Sequence, residues 1–152
     1  MKKIILFLIA VILTNLLWAQ DSTTFSLTFN HLAISVKDVN RSSEFYKNIL
    51  KLKEIENRAK LEGVRWFSTE DGKELHLISI IKEPIVLNKA IHIAFTTSNF
   101  DAVIKTLNEM NITYSDWPGN LNKINIRADG IKQIFFQDPD GYWIEVNSVG
   151  QK

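Results

Sequence analysis

The chain has no cysteine. That excludes disulfides, thiol catalysis and the acylated cysteine of a lipoprotein anchor. A basic stripe is missing as well: 18 Lys and Arg against 17 Asp and Glu give a formal charge of +1, and no cluster of cations is present to hold a nucleic acid backbone. There is no P-loop, dinucleotide fingerprint or HExxH pair, so the phosphate-cradling and zincin chemistries have no motif to rest on. No low-complexity run or Gly/Ser linker interrupts the chain. Apolar residues at 45% and aromatics at 11% describe an ordinary globular composition rather than a disordered one. Histidine is scarce, three in 152 residues, and where those three stand is the main clue to function.

What is present begins with a leader. Met1-Lys2-Lys3 is basic, residues 4–18 are nearly all apolar, and Ala19-Gln20 gives way to the polar Asp21-Ser22-Thr23-Thr24. That order is the layout of a secretory signal peptide over residues 1–20, followed by a short polar leader, 21–27. The run is shorter than a membrane span and is interrupted by Thr14-Asn15, so the expectation is export to the periplasm or beyond, with no membrane span after cleavage. Removing Lys2 and Lys3 leaves the mature part near neutral. It is long enough for one domain with a modest core and not for two independent ones.

The mature part repeats itself. Set HLAISVKDVNRSSEFYKNIL (31–50) beside HIAFTTSNFDAVIKTLNEM (92–110), and His31 falls on His92, Leu32 on Ile93 and Ala33 on Ala94. Each opens as a strand and turns into a helix. Asp38 and Asn40 offer N-caps to a segment carrying Phe45, Tyr46, Ile49 and Leu50, and Ser98-x-x-Asp101 resembles a capping box ahead of Phe100, Val103, Ile104 and Leu107. Strand-like stretches follow at 53–60 and 64–69, then at 114–126 (broken at Pro118-Gly119) and 131–137. Each half then reaches an Asp-Gly turn and a last strand, with Asp71-Gly72 matching Asp140-Gly141 and His76 matching Glu145. Pro139 and Gly141 suit the second and last positions of a type I turn. The reading is α+β, two tandem βαβββ modules over 28–82 and 88–149 within one domain, 28–150.

Four metal-capable side chains therefore hold matched positions. Alternation puts His31, Ala33 and Ser35 on one strand face and Leu32, Ile34 and Val36 on the other. It likewise separates His92 from Ile93, Glu74 and His76 from Leu75 and Leu77, and Trp143 and Glu145 from Ile144 and Val146. The aliphatic faces can pack under the helices, which leaves the other faces to line a cavity. Imidazole and carboxylate suit Zn²⁺, Ni²⁺, Mn²⁺, Co²⁺ or Fe²⁺, and four such groups at one point make sense around a divalent cation.

The segments FNHLAISVKDVNRSSEFYKNILKL, AIHIAFTTSNFDAVIKTLNE and above all IKQIFFQDPDGYWIEVN closely resemble the vicinal oxygen chelate superfamily. Its members include glyoxalase I, methylmalonyl-CoA epimerase, fosfomycin-resistance thiol transferases, extradiol dioxygenases and bleomycin-resistance binding proteins. The likeness covers about residues 28–149. It implies that the modules close side by side into a curved mixed sheet around a metal, with helices on the outer face. It also implies His31, His76, His92 and Glu145 as ligands, with His76 where glyoxalase I and the epimerases carry Glu or Gln. Relatives form the site either within one chain or across a dimer that exchanges modules, so a homodimer is a possible partner arrangement.

The chemistry that follows from this is a glyoxalase I-like lyase or isomerase. A metal-bound substrate with adjacent oxygens has an acidified neighbouring C–H, Glu145 serves as base, and His76 is a fourth ligand or a proton shuttle. An exported protein meets little glutathione, so another small substrate is expected. Two further readings stay open. One is a non-haem Fe(II) extradiol dioxygenase on a two-His, one-carboxylate triad, against which a fourth ligand and the two-module length count. The other is a binding protein that sequesters a small molecule without turnover. For the pocket, Trp143 is placed by parity, and Trp117, Trp66 and Tyr142 are further aromatic candidates. Arg65 and Arg127 are candidate anion clamps, and Lys123, Asn125 and Gln133 are weaker candidates.

Overall fold

The structure is a computed structural model that describes residues 26–150 apart from Lys82 and Pro84. The expected signal segment and nearly all of the polar leader lie outside the described residues. In the first half β1 (His31–Ser35) leads to α1 (Val39–Asn48), β2 (Lys53–Ile55), β3 (Val64–Ser68) and β4 (Glu74–Ile78). In the second half β5 (His92–Thr96) leads to α2 (Phe100–Glu109), β6 (Asn125–Ile126), β7 (Lys132–Gln137) and β8 (Trp143–Asn147). Each half forms a four-stranded sheet with the first strand beside the last, β1-β4-β3-β2 and β5-β8-β7-β6. The β1–β4 and β5–β8 pairs are parallel and the others antiparallel. This topology follows from the helix between first and second strands, which carries the chain over the sheet before the two hairpins return it.

Local chemistry sets the ends of the elements. Asp38 caps α1 by accepting from the amides of Asn40 and Arg41. The cap of α2 is Asn99, which accepts from the Ala102 amide, rather than the expected Ser98. Asn is as good a cap as Ser, and Asn99 stands one residue nearer the first apolar position. Both hairpin turns form: Gly72 N–H donates to the Thr69 carbonyl and Gly141 N–H to that of Asp138, each glycine at positive φ. The expected strand at 114–126 is mostly turn. It keeps a two-residue β6 and an isolated bridge from Ser115 to Phe135 on β7, because Pro118, Gly119 and three Asn residues break its alternation.

Both sheets contribute their aliphatic faces to one core. Ile34, Phe67, Leu75 and Leu77 of the first half join Ile134, Phe136, Ile144 and Val146 of the second, with Tyr46 and Ile49 from the end of α1 and Phe100 and Leu107 of α2. Phe135, buried but on the opposite face of β7, is outside that cluster. The α+β class and the two modules are those the repeat implies. Within the chain they are two separate four-stranded sheets, and α1 keeps Asn40, Arg41, Glu44, Lys47 and Asn48 exposed. It packs on β3 and β4 of its own half, and its Phe45 ring also lies 6.3 Å from Phe136 of the other.

Polar bonds fasten the halves at this junction. The fully buried Tyr46 donates its hydroxyl to Asp138 Oδ2 at 2.8 Å, and Asp138 Oδ1 accepts from the amides of Asp140 and Tyr142. Asp140 in turn accepts from Lys37 N–H and from Ser42 Oγ. The Tyr142 hydroxyl donates to the Ser35 carbonyl and accepts from the Ser35 amide. Burial pushes the Asp138 carboxyl up, against the hydrogen bonds it accepts, and pushes the Tyr46 phenol far up, where the neighbouring Asp138 charge and the bond to it raise it further.

Candidate functional site

The structure sorts the four metal-capable residues into two pairs. On β5 and β8, His92 Nε2 lies 3.2 Å from Glu145 Oε2, with side chains 24% and 8% exposed. Both neighbours of this contact are fixed. His92 Nδ1 lies 3.0 Å from the Lys89 carbonyl, which only accepts, so the proton of the neutral ring sits on Nδ1 and Nε2 is bare. Glu145 Oε1 takes bonds from Gln133 Nε2 (2.8 Å) and Asn147 Nδ2 (2.9 Å), while Oε2 faces His92 Nε2. Two such acceptors 3.2 Å apart repel unless positive charge joins them, either a second proton on the imidazole or a cation. An imidazole nitrogen and a carboxylate oxygen, each oriented through its far atom, are donor types that suit a divalent metal.

The other pair is built differently. On β1, His31 is exposed, with Nδ1 2.6 Å from Asn30 Oδ1, so its Nε2 is likewise bare. Its ring stacks on that of His76 on β4 at 4.3 Å, and His76 stacks on Trp66 of β3 at 4.0 Å. Arg58 lies over the far face of Trp66 at 4.6 Å. Glu74 closes the column: Arg58 donates to both of its oxygens at 2.7 and 3.0 Å, and its Oε2 is 2.8 Å from His76 Nε2. The Arg58 bonds, then His76, hold the Glu74 carboxyl below its ordinary range. His76 therefore gives Nε2–H to a carboxylate and keeps only Nδ1 as a bare nitrogen.

The two pairs do not meet within the chain. Among the described residues no three His, Asp or Glu side chains are grouped to hold a metal. The reason is the shared core: each sheet turns its aliphatic face to it, so the histidine faces point away. Two surface depressions, about 710 Å³ beside Asn40, Glu54 and Arg65 and about 280 Å³ beside Ser35, Asp140 and Tyr142, contain none of the four.

Residues 28–146 match the family model of the Glyoxalase/Bleomycin resistance protein/Dioxygenase superfamily. The chain belongs to that superfamily. It is 30% identical to "Glyoxylase I 4" of Arabidopsis thaliana over 129 residues, 78% of this chain and 69% of that one. It is 28% identical to the metallothiol transferase FosB of Staphylococcus saprophyticus over 127 residues, 80% of this chain and 76% of that one. Among solved structures, a glyoxalase/dioxygenase from Nostoc punctiforme superposes with a TM-score of 0.63 at 25% identity, covering 84% of this chain and 98% of that one. The fold is thus that of the superfamily, and its relatives bear the names of different activities.

Of the remaining candidates, Trp143 and Trp117 fall beside the second pair. The Lys89 ammonium is 4.9 Å from the Trp143 ring and 5.8 Å from that of Trp117, and Trp117 meets His92 edge-on at 6.3 Å. Tyr142 belongs to the junction instead. Arg65 stands opposite Leu77 in the β3–β4 register, beside the larger depression rather than the histidine pairs, bonded to Glu54 and Asn40. Arg127 pairs with Asp129 at the exposed β6–β7 hairpin. Asn125 bonds Gln133, and Lys123 is exposed. Sequence reasoning missed Glu74, Arg58, Asn147 and Lys89 as neighbours of the metal-capable residues. Parity already placed Glu74 with His76 and Asn147 with Glu145, and that was the available signal.

Proposed function

We propose that the chain is an exported, metal-dependent enzyme of the vicinal oxygen chelate type, a glyoxalase I-like lyase or isomerase whose site is completed by a second copy. In this reading His31 and His76 of one copy and His92 and Glu145 of another hold one divalent metal in a symmetric, module-exchanged dimer. The observation that carries it is the bare Nε2 of His92 facing the bare Oε2 of Glu145, with Gln133, Asn147 and the Lys89 carbonyl orienting both. Exposed Leu27, Phe29, Ile80, Ile81, Val86 and Ile91 are the kind of apolar surface a partner covers.

When bound, the metal acidifies the C–H beside a chelated carbonyl of a small substrate with adjacent oxygens. The chain supplies the rest. Glu145, once its Oε2 has loosened from the metal, would take that proton on Oε2 while Gln133 and Asn147 hold Oε1 still. Trp117 and Phe135 flank His92 edge-on. The FosB relative is named a metallothiol transferase, and here the chain without cysteine leaves any thiol to the substrate.

One observation favours a second reading. Because Glu74 engages His76 Nε2, His31, His92 and Glu145 are the donors whose outer atom, Nε2 or Oε2, is free of a carboxylate or amide partner, and two histidines with one carboxylate are the facial set of non-haem Fe(II) oxygenases.

Mixed dimers test the site. Combine a chain carrying His31→Ala and His76→Ala with one carrying His92→Ala and Glu145→Ala. Each homodimer is expected to bind no metal, and the mixed dimer recovers one site of two; no recovery rejects the shared site. Metal-dependent deuterium exchange beside a carbonyl then supports the isomerase. Fe(II)-dependent oxygen uptake with a catechol supports the dioxygenase, and tight binding without turnover leaves a sequestering protein. Export is checked by the mass of the protein recovered outside the cytoplasm, expected to begin near residue 21.

A further inference from the structure

Lys89 stands in the segment between the modules, in the turn that ends with Ile91 N–H donating to the Asn88 carbonyl. A lysine there is ordinarily a solvated surface cation. Here the residue is half-buried. Nζ donates to Ser115 Oγ at 3.0 Å, to the Asp116 carbonyl at 2.5 Å and to the Trp117 carbonyl at 3.1 Å. It also sits over three rings, at 4.8 Å from Phe135, 4.9 Å from Trp143 and 5.8 Å from Trp117. All three of its N–H donors have acceptors, and the aromatic faces compensate part of the lost hydration. The same residue's carbonyl accepts the Nδ1 proton of His92.

The loop this ammonium grips is rigid in itself. Asp116 accepts from the amides of Gly119 and Asn120 and from the Asn120 side chain, and Ser115 exchanges two backbone bonds with Phe135. The loop's outer end, Trp117, is 48% exposed and rests its edge against His92 and Phe135. Nothing in a metal ligand's own strand fixes such a wall, so the fastening has to come from outside the sheet.

We propose that Lys89 is a positioning residue of the β5–β8 half-site, holding His92 in its Nδ1–H form with its carbonyl and the Trp117 wall in place with its ammonium. The inference rests on the metal reading above for its consequence, though not for its geometry. One residue ties the segment between the modules to both the ligand and the wall. A substitution that leaves the backbone but removes the ammonium therefore disturbs the site without touching a ligand.

The test uses Lys89→Met, which keeps the apolar stem, with Lys89→Gln as a second variant too short to reach all three acceptors, and Lys89→Arg as the conservative rescue. Three quantities are read on the intact mature chain: Zn²⁺ affinity by calorimetric titration, the ¹⁵N signal of His92 Nδ1 in metal-free protein, and the emission of Trp117 isolated by difference from Trp117→Phe. Lys89→Met and Lys89→Gln are expected to weaken Zn²⁺ binding about tenfold, the lower range for loss of an outer support. They are also expected to average the protonated Nδ1 signal and red-shift Trp117, at a melting temperature close to wild type. Lys89→Arg restores the Nδ1 signal. Wild-type affinity, Nδ1 signal and emission in both variants overturn the inference. If the wild-type chain itself takes up no Zn²⁺, the metal reading falls, and the Nδ1 and emission comparisons alone decide the role of Lys89.

Discussion

The two modules share a topology and differ in how they hold their metal-capable residues. In the second, Glu145 and His92 keep an atom each free and are steadied by neutral groups: two amides and a carbonyl. In the first, His76 is already committed to the charged Glu74, and a stacked column running from His31 through His76 and Trp66 to Arg58 fixes its ring. Neutral amides orient a carboxylate without cancelling its charge, whereas an ion-paired carboxylate holds a histidine by competing for it. On the metal reading proposed above, the second module is the half that dominates metal affinity, and the first is the half that tunes it.

The largest expected effect follows from that asymmetry. Glu145→Ala abolishes metal uptake, measured as equivalents per chain, while His76→Ala weakens it about tenfold; equal losses break the comparison. Next comes Gln133→Leu, which strips one donor from Glu145 Oε1 and is expected to weaken metal binding about tenfold, where Glu74→Gln, releasing His76 Nε2, leaves binding unchanged or tighter. At the junction both halves share, Tyr46→Phe leaves Asp138 Oδ2 buried without its donor and costs about 1–3 kcal/mol of stability, read from the denaturant midpoint.

The smallest effect is a pH effect. Arg58 and His76 depress the Glu74 carboxyl, and a depressed carboxyl contributes stability that is present above its ordinary range and lost as pH falls through the lowered value. Arg58→Ala should therefore be less stable than wild type near neutrality, and the difference should vanish in acid. A constant difference across pH assigns the loss to the Arg58–Trp66 stack instead.

Much of this was legible in the residues. Alternation and the matched positions of His31, His92, His76 and Glu145 lead to both modules, their succession of elements and the strand faces on which those residues stand. Asn99 replaced Ser98 because two good caps stood side by side, and 114–126 lost its strand because its apolar residues are spaced around turn formers. The relative placement of the modules was not legible. An aliphatic face says only that it is buried, not which sheet or which copy buries it, so the same four residues suit one complete site or two halves. Glu74 was passed over because a glutamate beginning a strand is indistinguishable in sequence from a solvated one, and Lys89 because its partners come from a loop 26 to 28 residues away.

Strand β8 compresses the whole arrangement into five residues. Ile144 and Val146 fill the core, while Glu145 and Asn147 face the other way, and the turn that introduces the strand is the clasp between the halves. Shape and chemistry are thus written on alternate letters of one word. Either can be revised without misspelling the other, and this gives a physical route by which one architecture carries lyases, transferases and oxygenases under a single family name.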